Sequence, residues 1–260
     1  MLARFSRQEF LKERWAHQPG EQVLVIAPTQ AGKTRLLYEL AANVDHQKPP
    51  IVCVMKPQDP TPAEMNAKYG YREIATWPPS KRHFWQEPDV GLCLWPRHNL
   101  SLDPASLERT NKHLKRQFES AMMGSYKGGH QVVIADEVYG FTSELGMSPT
   151  IIALITRGSG MGTSLWTGAQ QPKGTQTGGS LPGQIFSSPT HLFLGQSPES
   201  RDRKRFSEIG GINTDLVRQE VDSLQSYPVQ TPQGMKYASQ FLYISKSGPS
   251  GGYMAVIEPW

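Results

Sequence analysis

Residues 27–34, Ala-Pro-Thr-Gln-Ala-Gly-Lys-Thr, constrain this chain more than any other eight positions. They fit the pattern Ala/Gly-x-x-x-x-Gly-Lys-Ser/Thr, with the apolar run 23–27 (VLVIA) before them and the helix-forming run 34–44 after them. A strand that turns sharply into a helix through such a segment points a row of backbone N–H groups inward and adds the positive end of the helix, which together suit an anion. The spacing predicts a phosphate cradle built by Thr29, Gln30, Ala31, Gly32, Lys33, Thr34 and Arg35. In it Lys33 would bridge β- and γ-phosphate oxygens, and the Thr34 hydroxyl would bind Mg2+. Gln30 stands where a glycine is frequent, so it is expected to accept strained backbone angles.

About a hundred residues later, the run 132–135 (VVIA) ends in Asp136 and Glu137. A strand of a parallel sheet delivers its last residues to the carboxyl edge, where ligands of such sheets bind. Paired with the loop, Asp136 is expected to hold Mg2+ through water, and Glu137 to accept a proton from an attacking water. The stretch 111–114 (NKHL) has Leu114 where a guanine-reading aspartate belongs, and it lies inside a helical pattern, which argues against GTP.

The rest of the chain alternates short apolar runs with helical patterns and has no internal repeat. Strands are expected at 51–55, 90–95, 164–167, 191–194, 241–245 and 253–257. A long helix is expected at 103–123, with Asp103 as N-cap and Pro104 at its first position. Leu107, Thr110, Leu114 and Phe118 should form its core-facing side. Further helices are expected from Ser148 to Arg157, closed by Gly158, and from Ser197 to Gly210. Residues 56–88 are rich in Pro, Tyr and Trp without a stable period and read as an irregular insertion. Continuous apolar strands separated by helices imply an α/β fold with a mostly parallel β-sheet and helices on both faces. The expected division is an N-terminal helical segment, 1–20, followed by one domain, 21–260.

Composition narrows the function classes. The chain has 260 residues, which suits one large domain. With 27 Lys+Arg against 23 Asp+Glu, the formal charge of +4 permits a nucleic-acid partner without requiring one. No apolar run approaches the ~18 residues of a membrane-spanning helix. The first residues lack the apolar core of a secretory signal, and Cys53 and Cys93 sit in apolar runs as buried reduced thiols would, so a cytoplasmic protein is expected. The scattered histidines and two cysteines show no zinc-ligand spacing.

A third motif joins the first two. Residues 156–162 (TRGSGMG) place an arginine at a helix end before a glycine turn, and residues 169–172 (AQQP) follow the next strand with an amide, Gln170, able to reach a γ-phosphate or its water. The order TQAGKT, ADE, TRGSGMG, AQQP resembles the FtsK–HerA superfamily of DNA-pumping ATPases over about residues 20–210. Two positions depart from its pattern: Ser159 replaces a second arginine, and Gln171 replaces the arginine after the sensor glutamine. The resemblance implies a RecA-like P-loop NTPase core that hydrolyses ATP with Mg2+, with Gln170 as sensor and Arg157 reaching the γ-phosphate of a neighbouring subunit; Arg201 and Arg203 are rivals for that role. It implies a homo-oligomeric ring, often a hexamer, moving double-stranded DNA without reading its sequence. Because the chain carries neither membrane helices nor a winged-helix DNA reader, viral genome packaging is favoured, in the host cytoplasm or on the virion, with a capsid or portal-vertex protein as docking partner. A DNA pump of a plasmid or integrative element, a secretion or phage-assembly ATPase, and a nucleotide-gated scaffold with little hydrolysis remain alternatives. The glycine-rich segment 173–184 is the candidate DNA-gripping loop, through Lys173, Thr175 and Thr177.

Overall fold

The computed structural model describes residues 2–80, 87–98, 103–171, 181–197, 205–206, 208–209, 214–231, 234–247 and 252–259. Ten strands form one sheet. In chain order they are β1 (Ala3–Phe5), β2 (Val23–Ile26), β3 (Ile51–Cys53), β4 (Tyr71–Ile74), β5 (Gly91–Leu94), β6 (Val132–Ala135), β7 (Ser164–Ala169), β8 (His191–Gly195), and, after the separate hairpin of β9 (Ser226–Thr231) and β10 (Gly234–Ser239), β11 (Phe241–Ser245) and β12 (Tyr253–Ile257). Their spatial order is β1-β12-β11-β8-β2-β7-β6-β3-β5-β4. The seven strands from β8 to β4 run parallel. Only β11 is antiparallel, to both β8 and β12, so the sheet is mostly parallel as expected.

Both faces of the sheet are covered, which is why its central strands are buried at every position and mostly apolar. Leu24 and Ile26 point to one side, into a core they share with Leu114, Phe118, Met122, Ile151 and Leu154 of α4 (Pro104–Gly128) and α5 (Ser148–Arg157). Val23 and Val25 point to the other, beneath Leu36, Leu37 and Leu40 of α2 (Lys33–Ala42) and Met65 of α3 (Pro60–Tyr69). Cys53 and Cys93 are buried free thiols, and burial pushes Cys93 up to about 11.

Several expectations are corrected. Residues 56–88 are not wholly irregular, because they supply α3 and β4. The local signals are present: Asp59 accepts a hydrogen bond from the Thr61 N–H at 2.9 Å, Pro60 opens the helix and Gly70 closes it at φ 71°. Its prolines, Pro60 and Pro62, and its few large apolar residues leave the helical period faint. On α4, Leu114 and Phe118 are buried, but Leu107 is 49 % exposed, because only from Leu114 onward does the helix enter the core. The N-terminal segment is only partly helical. After β1, Ser6 and Glu9 form a capping box and the short helical turn α1 (Arg7–Glu9) runs through to a widened turn at Phe10–Arg14. The C-terminal part also contains the helix α7 (Thr214–Ser223) and the β9–β10 hairpin beyond the two expected strands; α6 (Gln184–Ser187) precedes β8. Most of the expected 197–210 helix, including Arg201 and Arg203, lies outside the described residues, as do Lys173, Thr175 and Thr177.

At the amino edge of the sheet, Trp15, His17, Trp166, His191 and Tyr243 pack together. His17 Nε2 lies 3.2 Å from the Trp166 indole N–H and 3.1 Å from the Glu21 carbonyl. Burial lowers His17 to about 4; the Glu21 carbonyl pulls upward and His191 adds to the lowering. The unfolded chain, with His near 6.5, therefore binds more protons between the two values, and stability falls as pH falls through that window. Going from pH 7 to pH 5 should cost about 2 kcal/mol through this group. Denaturant unfolding at both pH values would measure it, and His17→Gln should flatten the difference. An equal slope in that variant would assign the effect elsewhere.

Candidate active site

Each part of the site stands at the carboxyl end of a neighbouring strand. The loop between β2 and α2 turns twice into left-handed backbone, at Gln30 (φ 66°) and Gly32 (φ 84°). The strain expected at Gln30 is thus present, and at Gly32 the missing side chain makes the turn cheap. The Lys33 amine donates to the Ala27 and Pro28 carbonyls, each at 2.9 Å, folding the side chain over its own loop. Burial lowers the Lys33 pKa against the pull of Asp136 and Glu137.

Strand β7 lies between β2 and β6 in the sheet, and this order decides which groups meet. Gln170 follows β7 and bridges the two sides. Its Oε1 accepts from the Thr29 hydroxyl at 3.2 Å, and its Nε2 donates to Glu137 Oε1 at 3.0 Å. The Thr34 hydroxyl donates to Asp136 Oδ2 across the same edge. Asp136 Oδ1 is buried and has no hydrogen-bond partner, and burial raises the pKa of the carboxyl despite Thr34, Lys33 and Lys56. A buried, half-satisfied carboxylate beside a threonine hydroxyl is a donor set of the hard-oxygen kind that suits Mg2+ completed by water and phosphate oxygens. The residues present therefore fit the ion.

Lys56 was not anticipated. It lies just past β3, and its amine pairs with Glu137 Oε2 at 3.1 Å, with Asp59 at 4.0 Å. Burial alone would lower it, but Glu137, Asp59 and Asp136 outweigh that and raise its pKa. The argument that singled out Asp136, a polar residue at the carboxyl end of an apolar strand, applies equally to Lys56. Glu137 is thus gripped on one oxygen by a cation and on the other by an amide. Gly168 was also missed: a Cβ there would stand 2.1 Å from the Asp136 carbonyl oxygen and 2.6 Å from its Oδ1. Only a glycine lets β7 pass so close to the acidic pair.

These groups line a cleft of about 900 Å³ that runs from the phosphate loop past Arg35 to Arg7 and β10. Arg35 pairs with Glu64 at 2.8 Å, tying α2 to α3. Arg157 is exposed at the end of α5, before the start of β7, and does not line the cleft. The structure therefore brings Thr29 to Arg35, Asp136, Glu137 and Gln170 together and leaves Arg157 apart. Among the described residues no helix is long and apolar enough to cross a membrane.

No protein-family model and no curated protein sequence matches the chain. Its fold does match solved structures. The genome packaging NTPase of Sulfolobus turreted icosahedral virus 2, in complex with sulfate, superposes with a TM-score of 0.56 at 14 % identity, over 93 % of this chain and 98 % of that one. The same NTPase in complex with AMPPCP gives 0.55 at 14 % identity, over 94 % and 100 %. The DNA-packaging ATPase from Sulfolobus turreted icosahedral virus gives 0.51 at 16 % identity, over 88 % and 94 %. The chain has the RecA-like P-loop fold, the one these viral packaging NTPases are built on.

Proposed function

We propose that this protein is an ATP-hydrolysing motor of the FtsK–HerA type that moves double-stranded DNA, and that its task is to package a viral genome. The observation that carries this reading is the meeting of phosphate loop, acidic pair and glutamine on one sheet edge, through the Thr34–Asp136 and Gln170–Glu137 hydrogen bonds. The likeness in fold to viral packaging NTPases over almost the whole length of both chains supports it.

Chemically, the N–H groups of residues 29–34 hold the β-phosphate, and Lys33 leaves its two loop carbonyls to reach the γ-phosphate. Thr34, and Asp136 through water, would hold Mg2+, which would supply positive charge against the triphosphate. Glu137 takes a proton from water as the water oxygen bonds to the γ-phosphorus; the bond to the β,γ-bridging oxygen breaks, giving ADP and phosphate. Gln170 touches both Thr29 and Glu137, so a change at the γ-phosphate is felt by the segment after β7. That segment, 173–184, grips DNA phosphates in this reading, and Arg157 completes the site of the next subunit in a ring, a hexamer, docked on a capsid or portal-vertex protein.

The decisive measurement is ATP turnover with and without double-stranded DNA. At low salt DNA should raise turnover several-fold, independent of sequence, and added salt should remove the effect. Turnover indifferent to DNA at low salt would leave a nucleotide-gated scaffold or a pump for another cargo. Stimulation by single-stranded DNA alone would point to phage assembly.

A further inference from the structure

The cleft extends beyond what the phosphate machinery uses. Its far end is bordered by Arg7, Glu39, Pro259 and the strand β10 at Tyr237 and Ser239. In the β9–β10 hairpin, Ala238 pairs with Tyr227, Tyr237 with Pro228 and Ser239 with Ser226. Just beyond, the Gln240 N–H donates to the Gln225 carbonyl at 2.9 Å. Antiparallel pairs alternate between hydrogen-bonded and non-bonded, so Ala238 is bonded to β9, whereas the N–H and C=O of Tyr237 and Ser239 point away from it. Pro228, lacking an N–H, sits opposite Tyr237 where no bond is made. Among the described residues no further strand covers this outer edge of β10, and the edge borders the cleft.

A second observation converges on the same place. The Arg7 side chain is 11 % exposed, its Nη1 donates to Glu39 at 3.0 Å, and its guanidinium lies over the Phe241 ring at 5.5 Å. Its Nε is nevertheless buried without a hydrogen-bond partner. A buried donor of that kind calls for an acceptor.

Resting on the nucleotide-binding reading above, we propose that this end of the cleft is a nucleobase site that selects adenine through main-chain groups. The Tyr237 carbonyl accepts from the exocyclic amino group, the Ser239 N–H donates to ring N1, and Arg7 Nε donates to a further acceptor of the nucleoside. Guanine presents the opposite order along that edge, a carbonyl followed by an N–H, and would set acceptor against acceptor and donor against donor. Because the strand edge belongs to the backbone, this selection has no side-chain signature in the sequence.

The test is equilibrium binding of β,γ-methylene triphosphates to the full chain with Mg2+. The purine riboside analogue, lacking the amino group, should bind about tenfold more weakly than the adenine analogue, and the guanine analogue about a hundredfold more weakly. Arg7→Met should weaken the adenine analogue about tenfold while leaving inorganic tripolyphosphate within about twofold. If the variant does not fold, the panel on the unsubstituted chain still decides. Three nucleosides binding within about twofold of one another, or tripolyphosphate binding as tightly as the adenine analogue, would overturn the base site. Lys33→Ala separates the two levels. If it weakens tripolyphosphate and the adenine analogue while the base panel is flat, only the base site falls; if it weakens neither, the phosphate loop reading falls and the base site with it.

Discussion

Glu137→Gln should bind ATP nearly as tightly as the unsubstituted chain and turn it over about 10²–10⁴-fold more slowly, the usual worth of a positioned general base. The substitution keeps the shape of the side chain and leaves an oxygen that can still accept from Gln170 Nε2, now 3.0 Å from Glu137 Oε1. What it removes is the negative charge facing Lys56 at 3.1 Å and the capacity to take a proton. The Lys56 side chain is 55 % exposed, so losing that ion pair costs the fold less than about 1 kcal/mol. Stability and affinity should therefore hold while chemistry fails. Steady-state phosphate release beside equilibrium binding reads both at once. Undiminished turnover would remove Glu137 as the base and leave Lys56 and Gln170 clamping a bystander.

Gly168→Ala should cost both stability and activity, although the residue touches no reacting atom. The added methyl would press on the Asp136 carbonyl at 2.1 Å and on its Oδ1 at 2.6 Å. Those are the backbone of β6's end and the carboxylate assigned to Mg2+, and neither is the free end of a flexible side chain. Either β7 and β6 separate at their carboxyl ends or Asp136 turns away from Thr34. Overpacking of this kind costs about 1–3 kcal/mol, which in a chain of this size lowers Tm by about 2–12 °C. Turnover should fall further than the stability loss explains, and the Mg2+ concentration needed for half-maximal turnover should rise. A variant that melts normally and keeps its Mg2+ dependence would show that the strands yield without moving Asp136.

The candidate site was legible in unequal parts. The loop, the acidic pair and Gln170 could be read because each is a short contiguous segment at the end of an apolar run, and the carboxyl edge of a parallel sheet gathers such ends. The backbone strain at Gln30 followed from the absence of a glycine there and is present at φ 66°. Lys56 went unnoticed because the segment behind it lacks a clean period, although Asp59, Pro60 and Gly70 punctuate a helix there. Leu107 was read as core because helical spacing gives the direction of a side chain but not where along the helix burial begins. Arg7 and the outer edge of β10 carried no signal, since their meeting depends on strands paired across most of the chain.

By itself the sequence determined the local machinery: a strand, a tight turn and a helix at 23–42, and an acidic strand end at 132–137, each set by residues adjacent in the chain. The tertiary structure alone decided that β7 stands between β2 and β6, so that Thr29 reaches Gln170 across 141 positions and Gln170 reaches Glu137 across 33. It also decided that the N-terminal Arg7 and the late strand β10 wall one cleft with the phosphate loop. The reason is physical. Backbone angles and capping are settled within a few residues, whereas strand order is settled by which apolar faces bury each other best, a property of the whole sheet.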